Sequence, residues 1–169
     1  MASSTRVGFI GLGIMGTPMA EHLLEAGCTL TVHTRNRAPS LFETQAKVCA
    51  NGAEVAAGAD VIFIMVPDTP DVERVLFDTQ GVASGLTPGQ LVVDCSSIDP
   101  ISTREFARRI RELGCGYVDA PVSGGEIGAK AASLTIMCGG SETDFERAKP
   151  LLMLMGKTIT RVGEVGAGQ

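Results

Sequence analysis

A chain of 169 residues, 44% of them hydrophobic, is long enough for one domain with an ordinary core. Its formal charge of -5 argues against a general nucleic-acid surface, which needs a basic excess, but leaves room for a local phosphate site. Five cysteines (Cys28, Cys49, Cys95, Cys115 and Cys138) are scattered without a C-x-x-C pair, and no apolar run reaches the eighteen or so residues that span a bilayer. The composition therefore predicts a soluble protein of a reducing, cytoplasmic compartment.

The first element is "RVGFIG", a short β-branched and aromatic run ended by glycine. Beyond it Met15, Met19, Leu23, Leu24 and Gly27 fall near helical spacing, which reads as strand, turn and helix. Arg6 followed by the apolar stretch to Ala20 imitates a signal peptide. Gly8, Gly11, Gly13, Gly16 and Pro18 are poor material for its apolar segment, and that reading fails.

Within the turn, "GLGIMG" is G-x-G-x-x-G. Alone the pattern is weak, but here it lies between a strand and a helix. Gly11 allows the tight turn, Gly13 lets the backbone approach a pyrophosphate, and Gly16 lets the helix pack closely on the strand. The helix N-terminus then offers N–H groups and a positive dipole end to the anion.

The second strand is predicted at "TLTVHT" (29–34). At its end a dinucleotide site selective for NAD usually carries an acid on the adenosine ribose. Thr34 stands there instead, followed by Arg35 and Arg37. A hydroxyl with guanidinium groups suits a 2′-phosphate, which a carboxylate would repel, so NADP is favoured over NAD. The alternative is that these arginines are only solvated loop residues.

Further strands are predicted at "VIFIMVP" (61–67) and "LVVDCS" (91–96), whose continuous apolar character suits strands covered on both faces. A helix follows over Ser102–Leu113. Phe106, Ile110 and Leu113 mark its inner face, and its arginines, interleaved with acids, read as a solvated face. Strands are then expected at "GYVDAP" (116–121), "SLTIMCG" (133–139) and "TITRVG" (158–163). Alternation of strands and helices predicts a Rossmann-type α/β fold, a doubly wound, mainly parallel sheet with helices on both faces and no internal domain boundary.

Ligands of such sheets sit beyond the carboxyl ends of the strands, where Gly11–Gly16, Val66-Pro67, Ser96-Ser97 and Ser123–Gly125 would converge. The turn "DAPVSGG" allows two readings, a flexible connection or a carboxylate-binding nest of a serine hydroxyl and glycine N–H groups. Gly156-Lys157-Thr158 imitates a P-loop, but Leu151 occupies the place of its first glycine. His22 and His33 lack companions at metal-ligand spacing, so no metal site is expected, and His22 reads as an ordinary helix surface residue.

"VGFIGLGIMGTPMAEHL", "MVP" at 65–67, "DCSSIDP" at 94–100, "DAPVSGG" at 119–125 and "VGEVGAGQ" at 162–169 together resemble the β-hydroxyacid dehydrogenases, the group of 3-hydroxyisobutyrate dehydrogenase and tartronate semialdehyde reductase. The resemblance implies hydride transfer between a nicotinamide and a small hydroxy acid or its semialdehyde. It implies that Gly11, Leu12, Gly13, Ile14, Met15 and Gly16 lie at the pyrophosphate, and Thr34 and Arg35 at the adenosine ribose or its phosphate. Val66, Pro67 and Asp71 would line the cofactor, Ser97 would lie near the nicotinamide ribose, and Ser123, Gly124 and Gly125 would hold the substrate.

The family's catalytic lysine follows a motif resembling "GEVGAG" by a few residues. It is therefore expected beyond Gln169, with an all-helical domain that completes the substrate pocket and makes a homo-oligomer. No catalytic residue is expected among residues 1–169, which would be inactive alone; Lys130 and Lys157 do not occupy the motif position. Two other readings stay open: a nicotinamide-binding interaction module without chemistry, and a related imine reductase or phosphogluconate-type dehydrogenase.

Overall fold

Strand β1 (Arg6–Ile10) sends Val7 and Phe9 to one side of the sheet and Ile10 to the other, and all three are buried. A strand so placed needs cover on both faces. The computed structural model, which describes residues 5–169, supplies it with helices on either side.

On one face Val7, Phe9, Phe63, Val93 and Val118 share a core with Met19, Ala20 and Leu23 of α1 (Gly16–Glu25), Phe42 of α2 (Ser40–Gln45) and Phe145, Ala148 and Leu151 of α8 (Glu142–Leu152). On the other, Ile10, Ile62, Ile64, Val92 and Tyr117 meet Val55 and Ala56 of α3 (Gly52–Ala57), Val72 and Leu76 of α4 (Thr69–Phe77), Val82 of α5 (Val82–Gly85) and Phe106, Ala107 and Ile110 of α6 (Pro100–Glu112). Phe9 and Phe63, cross-strand partners, stack with ring centroids 6.0 Å apart.

The sheet runs β3 (Lys47–Val48), β2 (Thr29–His33), β1, β4 (Val61–Ile64), β5 (Leu91–Asp94), β6 (Gly116–Asp119), β8 (Leu134–Gly139). From β3 to β6 all pairs are parallel, each joined through helical crossovers. The chain leaves β1 toward β2 on one side and returns to β4 on the other, so the order reverses at β1. A crevice opens at such a reversal.

Beyond β6 the direction changes. Strand β7 (Val122–Ser123) keeps the register of β6 against antiparallel β8, with Asp119 opposite Gly139, Val122 opposite Ile136 and Ser123 opposite Thr135. β6 and β7 are thus one strand interrupted at Ala120-Pro121. The short helix α7 (Gly125–Lys130) turns the chain back, and α8 carries it to β9 (Gly156–Gly163), parallel to β8. Gly156-Lys157-Thr158 lies inside β9, not in a loop opening a helix, which removes the P-loop resemblance.

Candidate functional site

The three glycines of the first loop each have a different reason. Gly11 has φ +101°, and a Cβ there would lie 2.0 Å from the Met65 carbonyl oxygen at the end of β4. A Cβ on Gly16 would fall 1.8 Å from the Gly11 carbonyl oxygen, so this glycine lets α1 start against the strand. At Gly13 a Cβ would meet nothing within 4 Å. Its bare face looks into a cavity, which is the fit expected for a group that must touch the backbone.

Side chains fix the loop around that face. The Thr17 hydroxyl donates to the Leu12 carbonyl at 2.9 Å, and the Leu12 N–H donates to the Thr34 hydroxyl at 3.4 Å. No side chain caps α1 at Met15, which leaves the positive end of the helix facing the cavity.

The cavity has a volume of about 1070 Å³ and follows the carboxyl ends of β1, β2 and β4. Gly11, Leu12, Gly13, Ile14, Met15, Gly16, Thr34, Arg35, Val66, Pro67, Asp71 and Ser97 all line it. Sequence reasoning did not single out Asn36, Asn51 or Arg74, which line it too. Asp71 closes the capping box of α4 by accepting from the Asp68 N–H at 3.1 Å, and it receives the guanidinium groups of Arg35 at 3.3 Å and Arg74 at 2.5 Å. With its side chain 78% exposed, Arg35 is held by a pair of little energetic weight.

A second cavity of about 420 Å³ adjoins the first, lined by Ile98, Pro121, Val122, Met137, Gly168 and Gln169, and Ser97 lines both. Ser123, Gly124 and Gly125 line neither. They follow Val122 as an exposed turn, with Gly124 at φ 137° and Gly125 at φ 61°, opening α7. His22 secures that helix, its Nε2 lying 2.8 Å from the Ala129 carbonyl oxygen, so it is a half-buried bridge between α1 and α7 and not a plain surface residue. Lys130 pairs with Glu126 at 2.7 Å, and Lys157 is exposed on β9; neither lines either of these two cavities.

Beneath the smaller cavity lies a buried carboxylate pair on adjacent strands. Asp94 accepts from the Ser96 N–H at 3.0 Å and from the Tyr117 hydroxyl at 3.3 Å. Burial, with the Asp119 charge adding to it, pushes its carboxyl up to about 7. Asp119 accepts from the N–H groups of Gly166, Gly168 and Gln169 at 2.8, 3.0 and 3.1 Å, and burial raises its carboxyl against the pull of these bonds. Neighbouring serines divide two tasks: buried Ser96 accepts from the Val66 N–H at 3.0 Å, tying β5 to β4, while exposed Ser97 faces the cavities.

The sequence model of the NAD-binding domain of 6-phosphogluconate dehydrogenase matches residues 6–163. The 2-hydroxy-3-oxopropionate reductase of Escherichia coli K12 is 53% identical over 165 residues, covering 97% of this chain and 56% of its own. An NAD-dependent L-serine dehydrogenase of Pseudomonas aeruginosa is 41% identical over 166 residues, again covering 97% and 56%. Among solved structures, that of Psf3 in complex with NADP+ and 2-OPP superposes with a TM-score of 0.91 at 31% identity, covering 96% of this chain and 58% of that one. The chain thus spans about half the length of the curated relatives it matches. Glycine loop, strand order and sequence agree, and the chain belongs to the family of NAD-binding domains of 6-phosphogluconate dehydrogenase.

Proposed function

We propose that this chain is the cofactor-binding half of an oxidoreductase that moves a hydride between NADP(H) and a small hydroxy acid or its semialdehyde, of the tartronate semialdehyde or 3-hydroxyisobutyrate type. The observation that carries the reading is the bare Gly13 backbone at the uncapped start of α1, on the wall of a cavity sized for a dinucleotide. The E. coli relative named 2-hydroxy-3-oxopropionate reductase supports the substrate class.

When bound, the nicotinamide supplies the hydride acceptor or donor. The chain's own part is positioning. Residues 11–16 present backbone and a helix dipole to the pyrophosphate, Val66, Pro67 and Asp71 wall the cofactor, and Ser97 stands where the two cavities meet. Ser123, Gly124 and Gly125 bind the substrate carboxylate from the rim. In the intact parent a helical domain closes this rim, adds the lysine that exchanges a proton with the carbonyl oxygen, and forms a homo-oligomer. Five buried thiols suit a reducing, cytoplasmic setting.

NADP is preferred to NAD because Thr34 puts no carboxylate at the end of β2, and the exposed Arg35 can leave Asp71, which keeps Arg74 as its partner, at small cost. The similar proteins include an NAD-dependent enzyme and one solved in complex with NADP+, so calorimetric titration of this chain with NADPH and NADH is the test. NADPH is expected to bind more tightly by roughly 1.5–3 kcal/mol, one charged hydrogen bond, and Thr34→Asp to narrow the gap. Equal affinities or tighter NADH would refute the preference. Absence of binding by either would refute the function.

A further inference from the structure

The residue that carries most of the unexplained geometry around the cavities is Gln169. Its carboxamide grips both peptide groups that flank Ser97: Nε2 donates to the Ser96 carbonyl at 2.9 Å, and Oε1 accepts from the Ile98 N–H at 3.0 Å. Such a two-point clasp leaves Ser97 little freedom to turn. Gln169 is itself fixed from below, because its N–H and those of Gly166 and Gly168 all donate to the carboxylate of Asp119, a fully buried residue on β6. Room for this fold-back is tight: a Cβ on Gly168 would fall 2.5 Å from the Met137 carbonyl and 2.9 Å from that of Asp119.

We infer that Gln169 is a positioning residue for cofactor binding, holding Ser97 at the junction of the two cavities through its paired hydrogen bonds to Ser96 and Ile98. The inference rests on the proposed function, with the nicotinamide ribose at Ser97 as the family resemblance implies. It predicts a division along the cavity. The adenosine end, at Thr34 and Arg35, is built by β1, β2 and α4 and is independent of Gln169. The end at Ser97 depends on it.

The test uses this chain with two ligands, NADPH and adenosine 2′,5′-bisphosphate, which lacks the nicotinamide half. NADH and AMP repeat the comparison without the 2′-phosphate. Gln169→Ala and Gln169→Met, the second keeping length without hydrogen bonds, are titrated beside the wild type. Both are expected to weaken NADPH by roughly tenfold, the equivalent of losing about two net hydrogen bonds, and to leave the bisphosphate unchanged. Equal losses for both ligands would mean a merely structural role and would overturn the inference, as would unchanged NADPH affinity. Ser97→Ala separates the layers. If it selectively weakens NADPH while the Gln169 variants do not, only the inference falls; if it has no selective effect, the placement of the nicotinamide end falls and takes the inference with it.

Discussion

Substituting alanine at each of the three loop glycines in turn separates folding from binding within six residues. At Gly13 the new methyl meets no protein atom within 4 Å, and the backbone there is not left-handed, so the native conformation accepts it. Reduced freedom of the unfolded chain should then stabilise Gly13→Ala by about 0.4–1 kcal/mol, which is a rise of roughly 1–4 °C in Tm for a domain of this size. The same methyl projects where the pyrophosphate would rest. Pushing the phosphates off the loop removes charge-assisted hydrogen bonds of about 1.5–3 kcal/mol each, so NADPH affinity should fall by at least about tenfold. Gly16→Ala places a carbon 1.8 Å from the Gly11 carbonyl oxygen, a backbone atom that cannot swing aside. Overpacking of this kind costs about 1–3 kcal/mol or more. Gly11→Ala adds backbone strain of about 1–3 kcal/mol at φ +101° to a 2.0 Å approach to Met65. Calorimetric melting without ligand should therefore rank Gly13→Ala at or above wild type and the other two clearly below it. A Gly13→Ala protein that binds NADPH as the wild type does would refute the placement of the pyrophosphate, and an unchanged Tm for Gly16→Ala would refute the packing.

Asp94→Asn should remove a pH dependence of stability. The Asp94 carboxyl is raised to about 7 in the fold from an ordinary value of 3.8, so its protonated form favours the folded state; that contribution is complete below about pH 4 and lost as pH rises toward 7. Denaturant melts at pH 5 and pH 8 should show the wild type losing stability, by about 2.5 kcal/mol at 1.36 kcal/mol per unit, since part of the shift is already lost at pH 5, and the variant losing less; parallel losses would show that another group titrates. The five buried cysteines, whose thiols burial shifts upward, should react with a disulfide reagent at pH 8 only after denaturation, and rapid labelling of the native chain would contradict their burial.

The strands were legible because burial on both faces writes a continuous apolar run, as in "VIFI" and "LVV", and the glycine loop was legible because its spacing has a steric cause. Strands β3 and β7 were not, since two residues become a strand only through the neighbour they pair with, and no local pattern records that neighbour. Leu113, read as part of the inner face of its helix, lies just past the end of α6 and is 40% exposed. Ser96 and Ser97 are alike in sequence, and only the pleat at the end of β5 turns one inward to Val66 and leaves the other on the cavity. Asp119 and Gln169 were hidden for a different reason: their partners lie some fifty and seventy residues away. A buried acid after an apolar strand, as in "YVDAP", is a usable sign that backbone N–H groups must come to meet it.

Those long-range bonds share one arrangement. The loop after β1 is tied to the end of β2 by Leu12 and Thr34, the end of β4 to that of β5 by Val66 and Ser96, and the β5 loop to the last residues by Gln169, which Asp119 anchors to β6. Each tie runs sideways, from one strand end to another, and in each a side chain satisfies a backbone group that the sheet has stopped pairing. Loops at the carboxyl edge of a parallel sheet would otherwise be ordered by the ligand, and that ordering would be subtracted from its affinity. Here the ordering is completed on folding. The loops where the dinucleotide's phosphates and nicotinamide end would lie are thus held by bonds made within the fold, whereas Arg35 is held only by an exposed pair, so under the proposed function it is the side chain free to turn toward a 2′-phosphate.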